Sequence, residues 1–106
     1  MKKWSLGEFK WGWFVGDFEP TAYRTAAAEV AFVRHSKGQH WPAHIHMVAT
    51  EINLLVSGRM MIQGETIEPG TVFLIEPGEI GDPQFLEDCE VVVVKVPSIP
   101  GDKQIV

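Results

Sequence analysis

The sequence predicts an all-β fold, a sandwich or a barrel, and three observations carry that expectation. Turn signals recur at short intervals: Ser36-Lys37-Gly38, Ser57-Gly58, Gln63-Gly64-Glu65, Glu68-Pro69-Gly70 and Glu76-Pro77-Gly78-Glu79. The segments between the later turns are too brief for ordinary helices but suit short strands. Finally, Val91-Val92-Val93-Val94 is a continuous apolar run, the pattern of a strand buried on both faces. At 106 residues the chain has the length of one domain, residues 1–106, able to bury a core without staples.

The elements follow in order. Residues 1–18 hold six aromatics, Trp4, Phe9, Trp11, Trp13, Phe14 and Phe18. Trp11, Trp13 and Val15 alternate with Gly12, Phe14 and Gly16, a strand period. Such a strand either adds to a sheet edge and buries its tryptophans, or forms an aromatic lip over a pocket. Thr21–Glu29 is alanine-rich but only nine residues long, and reads as a connector into a strand at Val30–Arg34. Ile52–Val56 is the next apolar run. Arg59–Gln63 and Thr66–Ile67 read as a hairpin with Gln63-Gly64-Glu65 at its tip. Thr71–Ile75 and Glu90–Val96 are further strands, and Pro97 and Pro100-Gly101 end the sheet and leave a polar tail. Met47, Met60 and Met61 read as core filling, His35 as a solvated turn residue and Arg59 as a solvated edge residue.

Composition excludes several classes. Apolar residues make up 45% of the chain, which opposes disorder. The net charge of −5, without a basic run, opposes a nucleic-acid partner. No apolar stretch approaches the ~20 residues that span a bilayer, so no membrane role is expected. The start, MKKWSLGEFKWGWF, has lysines as a signal peptide does, but Gly7, Glu8 and Lys10 interrupt any apolar segment. Cys89 is the one cysteine, so no internal disulfide forms and the cytoplasm is the expected compartment. It reads as a small structural side chain rather than a nucleophile.

The chemistry concentrates in Gly38–Gly58. His44 and His46 are two apart, which on a strand puts both imidazoles on one face. Glu51 lies five residues beyond His46, an odd number, so an unbroken strand would point it the other way. The three groups meet only if the chain turns or bulges within Met47–Thr50. Two imidazoles and a carboxylate make a mixed donor set suited to a divalent transition metal such as Fe, Mn, Ni, Co, Cu or Zn. His40 shares strand parity with His44, but Pro42 intervenes, which makes it a rim or surface residue before a ligand.

This stretch resembles the first motif of the cupins at every defining position: Gly38, five residues, His44-x-His46, four residues, Glu51, six residues, Gly58. The resemblance covers roughly residues 30–96 and implies a single-domain cupin β-barrel, a double-stranded β-helix or jelly roll. It also implies that His44, His46 and Glu51 bind a divalent metal at the bottom of that barrel, and that the chain pairs into a homodimer. The aromatic segment 1–18 would serve that pairing. The family's second motif is met in part. Gly70 and Gly78 stand where its glycines stand, but Glu76 replaces the proline and Gly81 replaces the histidine that is the usual fourth ligand. Asp82, next to Gly81, either turns inward as fourth ligand or leaves a three-ligand site with open positions.

Two function classes follow. One is a metal-dependent enzyme of isomerase, lyase or dioxygenase type acting on a small polar metabolite, a sugar derivative or an organic acid, with Asp82 or Glu79 as acid/base. The other is a non-catalytic module or sensor holding a small ligand in the same pocket, with or without the metal.

Overall fold

Eleven strands make up the computed structural model, which describes residues 1–106. In chain order they are β1 (Trp13–Gly16), β2 (Tyr23–Arg24), β3 (Glu29–His35), β4 (His44–His46), β5 (Thr50–Ser57) and β6 (Met60–Ile62). Then come β7 (Glu65–Ile67), β8 (Val72–Ile75), β9 (Gln84–Phe85), β10 (Cys89–Val96) and β11 (Lys103–Ile105). Helix is confined to two three-residue 3-10 turns at Leu6–Glu8 and Lys10–Gly12. Six strands form the large sheet in the order β2-β1-β3-β10-β5-β8, three form β7-β6-β9, and β11 pairs with β4. Single bridges from His40 to Gln84 and from His44 to Gly81 join the smaller pieces.

Strand alternation explains the core. On the large sheet the inward set is Ala31, Leu55, Ile75, Val91 and Val93; facing it are Met60, Ile62, Ile67 and Phe85 from β6, β7 and β9. Burying each large aliphatic side chain contributes roughly 1.5–3 kcal/mol, and this cluster is where that gain is concentrated. β10 lies between β3 and β5, yet its valines alternate: Val91 and Val93 are buried while Val92 and Val94 are only partly covered. The apolar run therefore marks a central strand with one covered face, not two. Its outer row continues across the register through Ile52 and Leu54 to Leu74 and Val72.

Three sequence expectations change. The regular strand at the N-terminus begins at Trp13, because Lys10–Gly12 turns with Trp11 at φ 58°. β1 then pairs with β2 and β3 of its own sheet, so Trp13 packs against the core while Trp11 stays 73% exposed. The polar tail is also structured: after the Pro100-Gly101 turn, Lys103–Ile105 folds back antiparallel to His44–His46. Met47 is an exposed turn residue, whereas Met60 is buried as expected. The β6–β7 hairpin turns on Gln63 and Gly64, both at positive φ, as a two-residue tip requires.

Gly58, the last residue of the first motif, is a glycine for two reasons. Its φ is +87°, and a Cβ there would run into the carbonyl oxygen of Asp88 and the Sγ of Cys89. Cys89 is itself buried, with its thiol on the Arg59 and Glu87 carbonyls. Gly58→Ala is expected to destabilise the fold by about 1–3 kcal/mol in denaturant titration. A loss within a few tenths would show that the β5–β6 turn relaxes freely.

Candidate functional site

The site sits where the chain passes from one sheet to another. β4 ends at His46, Met47 to Ala49 make the corner, and β5 begins at Thr50 in the large sheet. Strand parity does not carry across such a corner, so His46 and Glu51 face each other despite their odd spacing. Their side chains meet with Nε2 of His46 3.4 Å from Oε1 of Glu51.

A residue outside every sequence expectation builds this corner. The Asp102 carboxylate accepts the amide N–H of Val48 at 3.1 Å and of Ala49 at 2.9 Å, and its backbone carbonyl accepts that of Met47 at 3.2 Å. Burial pushes the Asp102 carboxyl up, but the Ala49 and Val48 amides outweigh it and hold the group below its ordinary range. The next residue, Lys103, stands opposite His46 in the β4–β11 register.

His44, His46 and Glu51 all line a cavity of about 180 Å³ between the two larger sheets. His46 is 4% exposed, and its Nε2 is the chain's one buried side-chain polar atom without a hydrogen-bond partner. The His44 and His46 rings stand edge to face, centroids 5.4 Å apart. Nδ1 of His44 lies 3.1 Å from the Pro42 carbonyl oxygen, which leaves its Nε2 free. Burial holds the His44 imidazole below the usual histidine range, the neutral state a metal requires. Burial pushes Glu51 up, but His46 and the Asn53 amide, 3.1 Å from Oε2, more than reverse this, so the group is a carboxylate. As the side chains stand, no three His, Cys, Asp or Glu groups are gathered closely enough to enclose an ion.

The acid/base candidates are placed differently from each other. Asp82 does not line the cavity, because its Oδ1 accepts the Gln63 amide N–H at 2.8 Å at the hairpin tip. Glu79 does line the cavity, but its Oε2 accepts the Glu76 amide N–H within its own turn. Position 81, where the fourth histidine is expected, is paired through its backbone with His44, and a Cβ built there would lie 3.5 Å from the His44 ring. Glycine at that position opens the cavity wall.

Of the other lining residues, Trp11 and Trp13 belong to the segment that the sequence offered as an aromatic lip, whereas His35, Trp41, Lys95 and Lys103 escaped the sequence reading. His35 is not a solvated turn residue; it closes β3, lines the cavity and stacks on Phe85 with ring centroids 4.0 Å apart. Trp11, Trp13 and Trp41 line the same space, as do Lys95 and Lys103. His40 does not reach it. Alternation within β10 was the one available signal for Lys95, which shares the inward face of Val91 and Val93.

Solved structures share this architecture. A conserved protein with a double-stranded β-helix domain from Klebsiella pneumoniae aligns with a TM-score of 0.69 at 19% identity, over 76% of this chain and 71% of its own. A cupin-2 domain protein from Shewanella frigidimarina aligns at 0.57 and 16%, over 68% and 72%. This chain has the cupin fold. The DMSP lyase DddQ from Ruegeria pomeroyi shares that fold at a TM-score of 0.72 and 15% identity, over 88% of this chain. The present chain spans about half, 49%, of that lyase. No protein-family model matches the sequence, and no curated protein does. No helix of the chain is long and apolar enough to cross a membrane.

Removing the corner's acceptor tests the role of Asp102. Asp102→Ala is expected to lose about 1–2 kcal/mol at neutral pH, the lower part of the range for charged acceptors because the turn is partly exposed. A lowered folded pKa contributes stability that is present above the ordinary carboxyl value, about 3.9, and lost as pH falls through the folded one. The deficit should therefore shrink as denaturation is repeated below about pH 3.9. A deficit that does not change with pH would mean the carboxylate is not what holds the turn.

Proposed function

We propose that His44, His46 and Glu51 hold a divalent transition metal and that the chain is a small metal-dependent enzyme acting on a small polar metabolite. The observation that carries this reading is the buried, partnerless Nε2 of His46 facing the Glu51 carboxylate. An unsatisfied buried nitrogen costs on the order of 1–3 kcal/mol, and an ion between these groups removes that cost. The donor set, neutral imidazoles with a carboxylate, fits Fe, Mn, Ni or Zn. When bound, such an ion supplies Lewis acidity for isomerase or lyase chemistry or, as iron, a site for O₂.

The chain's own residues supply the remainder. Asn53 orients Glu51 through its amide, and Trp13 and Trp41 give the cavity an aromatic lining. Glu79 is the acid/base candidate left at the cavity; Asp82, committed to the Gln63 amide, is not assigned that role. A second reading, a non-catalytic binding module or sensor, is favoured by one observation. Both candidate carboxylates already accept backbone N–H groups, so proton transfer requires Glu79 to leave its turn. The free, buried Cys89 suits the reducing cytoplasm.

Elemental analysis of protein purified without a metal-binding tag tests the site. About one equivalent of a transition metal is expected in the wild type and none in His44→Ala/His46→Ala. A Gly81→His variant, which places a fourth donor beside His44, should retain the metal more tightly on dialysis. No metal in the wild type after reconstitution would leave the binding-module reading.

We also propose a homodimer, formed through the outer face of the large sheet; within residues 1–18, Trp13–Gly16 already pair with β2 and β3 of their own chain. Val72 and Leu74 on the edge strand β8 are 65% and 50% exposed and continue an apolar row through Leu54 and Ile52. Val72→Lys/Leu74→Lys should sediment as a monomer with an unchanged circular dichroism spectrum. A variant that remains dimeric would place the interface elsewhere.

A further inference from the structure

Two cavity residues have no part in holding a metal. Lys95, on β10, stands directly opposite Glu51 in the β5–β10 register, and Lys103, on β11, stands directly opposite His46. His46 and Glu51, the two candidates that flank the corner, thus each have a lysine as cross-strand neighbour, whereas His44 stands opposite Ile105. Both lysines line the cavity, and neither takes part in any of the chain's ion pairs. Each ammonium is held over a tryptophan of the same wall. Lys95 Nζ is 4.8 Å from the centre of the Trp13 ring, and Lys103 Nζ is 4.9 Å from that of Trp41.

We propose that Lys95 and Lys103 together bind the carboxylate of a small organic anion whose apolar body lies between Trp13 and Trp41. The inference deepens the metal reading and rests on it for the position of the reacting end. The charged lining residues are Glu51, Glu79, Lys95 and Lys103, which balance. A divalent ion on the histidines and Glu51 leaves two positive charges in excess, and an anion is the ligand that offsets them. Size narrows the class further. At about 180 Å³ the cavity is below the roughly 300–1,000 Å³ of drug-sized sites, so a compact carboxylate fits and a long chain does not. The walls Trp13, Trp41, Phe73 and Phe85 favour a flat or apolar body over a polyhydroxylated one.

Sodium benzoate and its neutral isostere benzamide are suitable probes, titrated calorimetrically into wild type, Lys95→Met, Lys103→Met and the double variant. Methionine keeps an unbranched stem and removes the charge. Each titration is run on metal-loaded and on chelator-stripped protein. The double variant is expected to bind benzoate about tenfold more weakly than wild type, a change of about 1.4 kcal/mol, with each single variant in between. Benzamide should bind wild type and variants alike, and a Lys95→Arg/Lys103→Arg variant should recover most of the benzoate affinity. The ratio of wild type to variant tests the lysines and is read on stripped protein as well. The ratio of loaded to stripped protein tests the metal, so failure of one is told from failure of the other. Equal benzoate affinity in wild type and the double variant, benzamide binding as tightly as benzoate, or no benzoate binding to wild type would each overturn the proposal.

Discussion

The corner between His46 and Glu51 is the constraint on which the site depends. Two histidines on one strand and a carboxylate on the next line one cavity only because the chain leaves the β4–β11 pair and enters the large sheet within Met47–Ala49. A corner of this kind exposes amide groups that neither sheet can pair, and unpaired amides are costly where water is partly excluded. Asp102 takes up three of them, two with its carboxylate and one with its carbonyl. The C-terminal segment is thus joined to the site twice over. It closes the corner through Asp102 and adds Lys103 to the cavity wall through the β4 register.

Around that corner the fold separates two requirements. The core proper, Ala31, Leu55, Val91, Val93 and the residues opposite, is apolar and closed. Moving along the same inward rows toward the corner, Leu55 gives way to Asn53 and then Glu51, while Val91 and Val93 give way to Lys95. The strands that supply stability at one end therefore present polar groups at the other without a change of direction or face. Burying Glu51 is tolerable because His46, Asn53 and Lys95 all favour its ionised form. His46 has no such compensation at Nε2, and that imbalance is what distinguishes a site from a satisfied polar network.

Much of this was legible in the sequence, and the remainder was hidden for identifiable reasons. Fixed motif spacing pointed to His44, His46 and Glu51, which line one cavity without closing a donor set, and the odd interval before Glu51 located the corner within Met47–Thr50. The hairpin was readable because Gln63-Gly64 carries the backbone chemistry of a tight turn. β11 was not, because three residues after Pro100-Gly101 show no periodicity, and their pairing with β4 is set by contacts more than fifty residues away in sequence. Asp102 and Lys103 were invisible for the same reason. His35 was misjudged because its neighbours Ser36-Lys37-Gly38 signal a turn; the turn begins one residue later, and the inward face of β3 carries the ring onto Phe85. Asp82 looked available only because the acceptor demand of the Gln63 amide cannot be read from a linear chain.

Gly81 shows what a departure from a motif can mean physically. A histidine there would bring a fourth nitrogen beside the His44 ring. Glycine instead leaves two backbone hydrogen bonds to His44 and no side chain, so the position still fixes the strand that carries the donor. The strand keeps its place while the wall loses an imidazole, and the space becomes part of the cavity. Removing a neutral donor leaves the formal charge of the lining unchanged but frees a direction of approach to whatever His44, His46 and Glu51 hold. Lys95 and Lys103 line the same cavity as Gly81. On the readings proposed above, Gly81 and the two lysines belong to one arrangement, in which an anionic ligand reaches His44, His46 and Glu51 where a fourth imidazole would otherwise stand.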